Sequence, residues 1–227
     1  MKTKKIILLL ACILMGNIAL MAQNSMSFGI RAGVNFQNIN GKDAQGDQLD
    51  NTIVPGFNAG VNIEIPVGTD IYFQPGLLFS TKGAKSTETI LLQEVTSKLS
   101  ISYIELPLNI VFKPLLGTGH MLLGFGPYVG YGITGKYKIE GGNLSYDQDV
   151  KFKNEVSNAE ALDTDIFYMK ALDAGANFII GYEMASMLSF QLNAQLGLIN
   201  IYPKYTGIED TPSWKNTGFG LSLGYRF

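Results

Sequence analysis

From Phe28 onward the chain alternates apolar and polar residues with a period of two, the pattern of strands with one face in each of two media. In the first segment Phe28, Ile30, Ala32, Val34 and Phe36 share one face, and Gly29, Arg31, Gly33, Asn35 and Gln37 the other. Seven more segments read alike. The second runs from Phe57 to Ile65 and opposes its apolar residues to Asn58, Gly60, Asn62 and Glu64. The third, from Ile71, has Tyr72, Gln74, Gly76, Ser80 and Lys82 on its polar face. The fourth, Ile104 to Phe112, has Tyr103, Glu105, Pro107 and Asn109 there. The fifth, Met121 to Ile133, has Tyr128 and Gly124, Gly126, Gly130 and Gly132. The sixth, Leu172 to Ile180, has Asp173, Gly175, Asn177 and Gly181. The seventh, Leu188 to Leu198, has Ser189, Gln191, Asn193, Gln195 and Gly197. The last, Thr217 to Phe227, has Gly218, Gly220, Ser222, Gly224 and Arg226.

Two features break the pattern. Leu99 and Ile101 are out of phase with Ile104 onward, which predicts a bulge or an extension of that strand beyond a membrane. Pro75 and Pro127 sit inside strands and predict local bulges. Connections 38–54, 83–98, 137–167 and 202–215 are long, whereas 66–70, 113–119 and 183–187 are short. Eight strands of about 10–13 residues, tilted by about 40°, cover an apolar band of about 25 Å. The expected fold is all-β: an eight-stranded antiparallel up-and-down transmembrane β-barrel with short periplasmic turns and long extracellular loops. The even strand count places both ends of the barrel on the periplasmic side.

A soluble barrel would alternate too, with its apolar face inside, so composition has to decide which face points outward. The polar face is mostly Gly, Asn, Gln and Ser with few charges, which suits the crowded interior of a narrow barrel. The apolar face carries no charge, as lipid exposure requires. Overall 46% of residues are hydrophobic and only 16% charged, against a usual ~25%. No segment after the N-terminal stretch has the ~20 consecutive apolar residues of a membrane helix.

The N-terminus has the parts of a signal peptide. Lys2, Lys4 and Lys5 precede an apolar run from Ile6 to Met21, and Ala22 precedes a cleavage point at Gln23. The expected organisation is a leader over 1–22 and a barrel domain over 23–227. A retained anchor and lipidation at Cys12, the only cysteine, are the competing readings of the same stretch. Loss of the leader removes three of the 17 basic residues and leaves 14 against 19 acidic, a net charge of about −5. That argues against a nucleic-acid partner.

Several stretches together resemble the PorT-like outer-membrane β-barrel family of Bacteroidetes. They are Met21-Ala22-Gln23, Phe28 to Asn35, Phe73-Gln74-Pro75-Gly76-Leu77, Tyr103 to Leu108, Gly124 to Tyr128, and Gly224-Tyr225-Arg226-Phe227. The resemblance covers residues 28–227. It implies an outer-membrane barrel whose terminal aromatics, Tyr225 and Phe227, are read by the barrel-assembly machinery. Its namesake is implicated in secretion and gliding, and no residue here points to that role in particular.

Candidate chemistry is sparse. His120 is the only histidine and sits beside a short turn, so neither a Ser/His/carboxylate set nor a transition-metal site is expected. Gly124, Gly126, Gly130 and Gly132 recur at even spacing within a strand, and Val129 stands where Gly-x-Gly-x-x-Gly needs a third glycine. Asp43, Asp47 and Asp50, and the acidic residues of 137–167, lack an EF-hand spacing and read as solvated loops, with divalent bridging to lipopolysaccharide as the minority reading. Trp214, Tyr202 and Tyr205 read as ligand contacts or as markers of the outer interface.

The lumen is more informative. Arg31, Glu64 and Arg226 point inward near the periplasmic end of three neighbouring strands, and a cluster of the three is expected to plug the lower lumen. Glu105 and Asp173 point inward nearer mid-height and Lys82 near the outer mouth, with Tyr72 and Tyr128 filling space. Eight strands leave room only for side chains, so no open pore is expected. The functional expectation is a non-enzymatic outer-membrane barrel without cofactor or metal. Its lumen is plugged, and it acts in adhesion, envelope anchoring or secretion through its loops. The alternative is a narrow channel for small solutes or ions, with the charge cluster as its gate. Expected partners are outer-membrane lipid and lipopolysaccharide, the assembly machinery, and an extracellular or secretion-system protein.

Overall fold

The computed structural model describes residues 26–90, 93–142, 144–208 and 211–227; the leader assigned to 1–22, with Cys12, lies outside the described residues. Eight long strands follow one another: β1 (Ser27–Lys42), β2 (Val54–Gly68), β3 (Ile71–Ile90), β4 (Gln93–Phe112), β5 (Gly119–Gly141), β6 (Leu172–Glu183), β7 (Leu188–Gly197) and β8 (Ser213–Arg226). Each pairs antiparallel with the next. β8 then pairs with β1, from Gly29↔Arg226 to Lys42↔Ser213, and the ring closes. Closure leaves the ring no free edge, which an up-and-down sheet in lipid requires. No helix among the described residues is long and apolar enough to cross a membrane.

The apolar face points outward. Phe28, Ile30, Phe57, Val61, Leu77, Phe178, Leu192 and Leu221 are each half exposed or more, and Phe125 reaches 62%. The inward face buries Asn35, Gln37, Asn58, Gln74, Ser80, Asn109, Asn177 and Ser222. So continuous an apolar exterior is far beyond what a water-soluble monomer exposes. Inward glycines let the strands coil tightly. A Cβ on Gly33 would stand 2.2 Å from the Leu221 carbonyl oxygen, and one on Gly126 would stand 2.1 Å from that of Leu108. A wider residue at either position would push neighbouring strands apart.

Three expectations about detail change. First, 83–98 is no loop: β3 and β4 continue as a hairpin through Ile90 and Gln93. β1 likewise runs to Lys42 and β5 to Gly141, and Leu144–Phe152 folds back on β5. Second, Pro75 and Pro127 cause no bulge. Pairing lapses for two rungs beside each and resumes in the same register. The shifts fall instead between Pro66 and Gly68 and at Ser102/Tyr103, where β5 carries an extra residue, Ile133. Proline needs only a missing donor, which a skipped rung supplies. Third, the fourth strand does extend beyond the membrane, as one of the two alternatives for Leu99 and Ile101 has it, but without a break in parity: both stay in phase with the inward residues Tyr103 and Glu105. They point into an apolar cluster with Ile39, Ala84, Val150, Met169 and Ile201. The polarity of the inner face changes there because loop residues cover the mouth. The connections around 150, 169 and 201 bring these apolar side chains over the strand ends.

Candidate functional site in the barrel lumen

The inward charges gather at two heights. The lower network stands at the short-turn end. Glu64 comes from β2, Lys113 follows β4 directly, Glu183 ends β6 and Arg226 lies near the end of β8. Lys113 Nζ pairs with Glu64 Oε2 at 2.8 Å and with Glu183 Oε2 at 2.9 Å. Arg226 Nη2 donates to Glu183 Oε1 at 2.6 Å, and Arg226 Nε lies 3.7 Å from Glu64 Oε2. Gln74 Nε2 donates to the other Glu64 oxygen at 2.9 Å. The Tyr72 ring carries Lys113 Nζ 5.2 Å from its centroid. Two cations and two carboxylates thus interlock, and Arg226 donates to Glu183 through both Nε and Nη2.

The upper network lies beneath the apolar cap. Lys82 Nζ pairs with Glu105 Oε1 at 2.7 Å and with Asp173 Oδ2 at 3.0 Å, all three side chains being buried. Asn216 Nδ2 donates to Asp173 Oδ2 at 3.0 Å and to the Tyr103 hydroxyl at 3.3 Å. The Tyr128 hydroxyl donates to Asp173 Oδ2 at 3.2 Å, and Gln195 Nε2 to Glu105 Oε2 at 2.9 Å. Lys82 Nζ also stands 4.3 Å over the Tyr128 ring. This network holds one cation against two carboxylates.

Arg31 departs from expectation. It forms no ion pair or hydrogen bond with Glu64 or Arg226, and Lys113 occupies the place assigned to it. The reason is height. Glu64 pairs in register with Ser27, whereas Arg31 stands four residues further up β1, opposite Gly60. Arg31 lines a cavity of about 30 Å³ between the two networks, with Asn35, Asn58, Asn193, Gln195 and Glu105 on its walls. Its Nε is buried without a hydrogen-bond partner. Its charge acts on Glu105 and so offsets the surplus carboxylate of the upper network. With Arg31 included, these lumen charges balance: Arg31, Lys82, Lys113 and Arg226 against Glu64, Glu105, Asp173 and Glu183. Balance is what a low-dielectric barrel interior demands of buried ions.

Lys113 and Glu183 were readable in principle. Each continues the inward parity of its strand by one more step (Asn109, Val111, Lys113; Asn177, Ile179, Gly181, Glu183). Assigning them to turns concealed them. Tyr103 and Asn216 are the other additions, both fully buried around Asp173.

The remaining candidates find structural places. His120 is the second residue of β5 and lies opposite Glu183 in register. The glycines at 124, 126, 130 and 132 lie within β5. Asp43 Oδ1 accepts from the Gln45 and Asp47 backbone N–H groups in a turn. No group of three or more potential metal ligands occurs among the described residues. Trp214 and Tyr202 meet edge-on at 4.9 Å, and Tyr202 contacts Tyr205 at 5.9 Å. Phe167 and Tyr137 extend this aromatic chain across the outer mouth. Tyr225 and Phe227 face outward at the periplasmic rim, ring to ring at 5.0 Å.

Comparison with known protein families agrees with this architecture. The family described as outer membrane protein beta-barrel domain matches residues 21–202. No curated protein matches the sequence. Among solved structures, the chain is similar to Ail, the attachment invasion locus protein of Yersinia pestis, in complex with the heparin analogue sucrose octasulfate. That match has 14% identity and a TM-score of 0.42, and covers 89% of this chain and 99% of that one. It is also similar to Neisserial surface protein A, at 8% identity, TM-score 0.46, covering 90% and 100%. A major outer membrane protein from Thermus thermophilus matches at 15% identity, TM-score 0.43, covering 90% and 100%.

Proposed function

The chain belongs to the outer membrane protein beta-barrel domain family and resides in the outer membrane, and we propose that it works there as a closed barrel that presents its extracellular side to a partner. The observation that carries this reading is the filling of the lumen at three successive heights. The lower network, the upper network and the apolar cap each span the interior with side chains contributed by opposite walls. An eight-stranded ring leaves no width to go round them. The strands also continue well past the membrane as the β3–β4 hairpin and the outer part of β5, which offers a rigid surface rather than slack loops. The roles this surface suits are adhesion, envelope anchoring or a secretion accessory, the last in keeping with the resemblance to the PorT-like group. The exposed Tyr225–Phe227 pair fits the terminal signal for barrel assembly, and residues 1–22 fit an export leader.

The amide-lined space around Arg31 favours a second reading, a narrow ion path interrupted by the two networks. Single-channel recording of the refolded protein in a planar bilayer separates them, after a heat-shift gel establishes a closed barrel. The closed reading expects no steady conductance from the wild type. It also expects none from Arg31→Ala with Arg226→Ala, because Lys82 and Lys113 still span the lumen. Steady conductance in the wild type would overturn the closed reading and make the networks gates.

A further inference from the structure

The outer surface of the hairpin carries an arrangement that a solvated sheet avoids. Lys85 of β3 lies directly opposite Lys98 of β4, and Lys98 directly opposite Lys138 of β5. Three like charges in register across three adjacent strands repel one another, which costs stability in an isolated sheet. Lys138 is eased by Glu140 at 2.7 Å. Lys85 and Lys98 are exposed and make no ion pair among the described residues. Hydroxyls flank the row: Ser100 is exposed below Lys98, and above it Thr87 Oγ1 lies 3.2 Å from Thr96 Oγ1. Acidic residues stand above and beside the row: Glu140 lies opposite Thr96 and Glu94 opposite Thr89, and Asp147 and Asp149 stand opposite Lys138 and Lys136. The field of the row reaches beyond it. The Glu140 carboxyl is held below its ordinary range, first by its bond to Lys138 and further by Lys85 and Lys98.

Height indicates the partner. On β4 the last apolar residue facing lipid is Ile104, six residues below Lys98. That is roughly 20 Å along the strand and about 15 Å along the membrane normal for a strand tilted by about 40°. Beneath the row come Ser100 and Ser102 on β4 and Lys136 and Thr134 on β5, and below these the outward column is apolar, with Ile104 and Leu106 on β4 and Tyr131 and Ile133 on β5, all exposed. An amphiphile whose acyl chains lie on that column holds its sugar–phosphate headgroup at the level of the lysines. We infer that Lys85 and Lys98, with Lys138 beside them, form a binding site for the phosphorylated headgroup of an outer-leaflet glycolipid. Phosphate bridging the two unpaired ammonium groups replaces their repulsion with two charge-assisted contacts. The inference needs the outer-membrane location but not a closed lumen, so a conducting barrel leaves it standing.

The test uses the refolded protein in phosphatidylcholine nanodiscs, titrated with deep-rough lipopolysaccharide. Parallel titrations use the same glycolipid after dephosphorylation and inorganic pyrophosphate alone. Lys85→Ser with Lys98→Ser should weaken glycolipid binding roughly 30-fold, while Lys85→Arg with Lys98→Arg retains it. Dephosphorylation should weaken binding to the wild type by as much, and that arm stands whether or not a variant folds. Equal binding before and after dephosphorylation would overturn the site. So would equal binding by the wild type and a serine variant that still shows the heat shift. Pyrophosphate binding as tightly as the glycolipid would assign the site to free anions and overturn the lipid assignment.

Discussion

The lower and upper parts of this barrel use the same strands in opposite ways. Within the membrane, β4 turns Ile104, Leu106, Ile110 and Phe112 outward and buries Glu105 and Asn109. Above it, the same strand buries Leu99 and Ile101 and turns Lys98 and Ser100 outward. The side-chain parity never breaks along β4; the media exchange places. Below, lipid lies outside and a polar lumen inside. Above, water lies outside and an apolar, loop-covered core inside. Alternation therefore reports that a strand separates two media, and only the chemistry of each face says which medium is where.

Substitutions at matched positions sharpen this contrast. The largest effect belongs to the buried upper network. Lys82→Met leaves Glu105 and Asp173 facing each other in the lumen and should cost about 3–5 kcal/mol, read by urea unfolding into vesicles. Adding Asp173→Asn should recover much of that loss, because Glu105 then stands against Arg31 alone and the lumen charges balance again. Next comes the apolar cap, where Ile101→Ala should cost about 2–5 kcal/mol, the range for an aliphatic side chain in a packed core. A loss under about 0.5 kcal/mol would show that the loops do not hold a core there. Leu192→Arg places a charge on the lipid face near mid-membrane and should cost about 2–4 kcal/mol. Ser100→Arg, on the outer face of the upper part, should stay within about 0.5 kcal/mol; equal costs at 100 and 192 would refute the exchange of media.

The smallest effect is one of pH in the extracellular connection. The Glu160 carboxyl is pulled down to about 2, chiefly by its bond to Lys153 and then by Ser157. A depressed carboxyl contributes above its ordinary value and stops contributing as pH falls through the folded value. Protection of residues 153–160 from limited proteolysis by an acid-active protease should therefore hold from pH 7 to about pH 4 and fade towards pH 2. Glu160→Gln should remove that dependence.

Much of this was legible in the sequence, because period-two alternation over ten or more residues with uncharged apolar positions has few other solutions. The faces of all eight strands and their order follow from it, whereas the long connection expected at 83–98 is a continued hairpin of β3 and β4. Individual lumen residues were legible in the same way, since parity sends Glu64, Lys82, Glu105, Asp173 and Arg226 inward. Their partners were not. Pairing inside a barrel depends on height, and height depends on the stagger between strands, which alternation leaves open. A stagger that sets Glu64 against Ser27 rather than Arg31 hands the lower network to Lys113 and leaves Arg31 to balance the upper one. The reach of the strands was hidden for a related reason. Lys85, Lys98 and Lys138 look like loop residues until β3, β4 and β5 are seen to run on together.

The sequence by itself determined that the chain forms strands with an uncharged apolar face and a small, polar opposite face, and hence a membrane barrel, because side-chain period and polarity are local properties. Only the tertiary structure decided which charges meet in the lumen, where the inner face turns apolar and which lysines stand side by side. Those outcomes depend on closure of the ring, on strand stagger and on loops folding over the mouth, and each joins residues far apart in the chain.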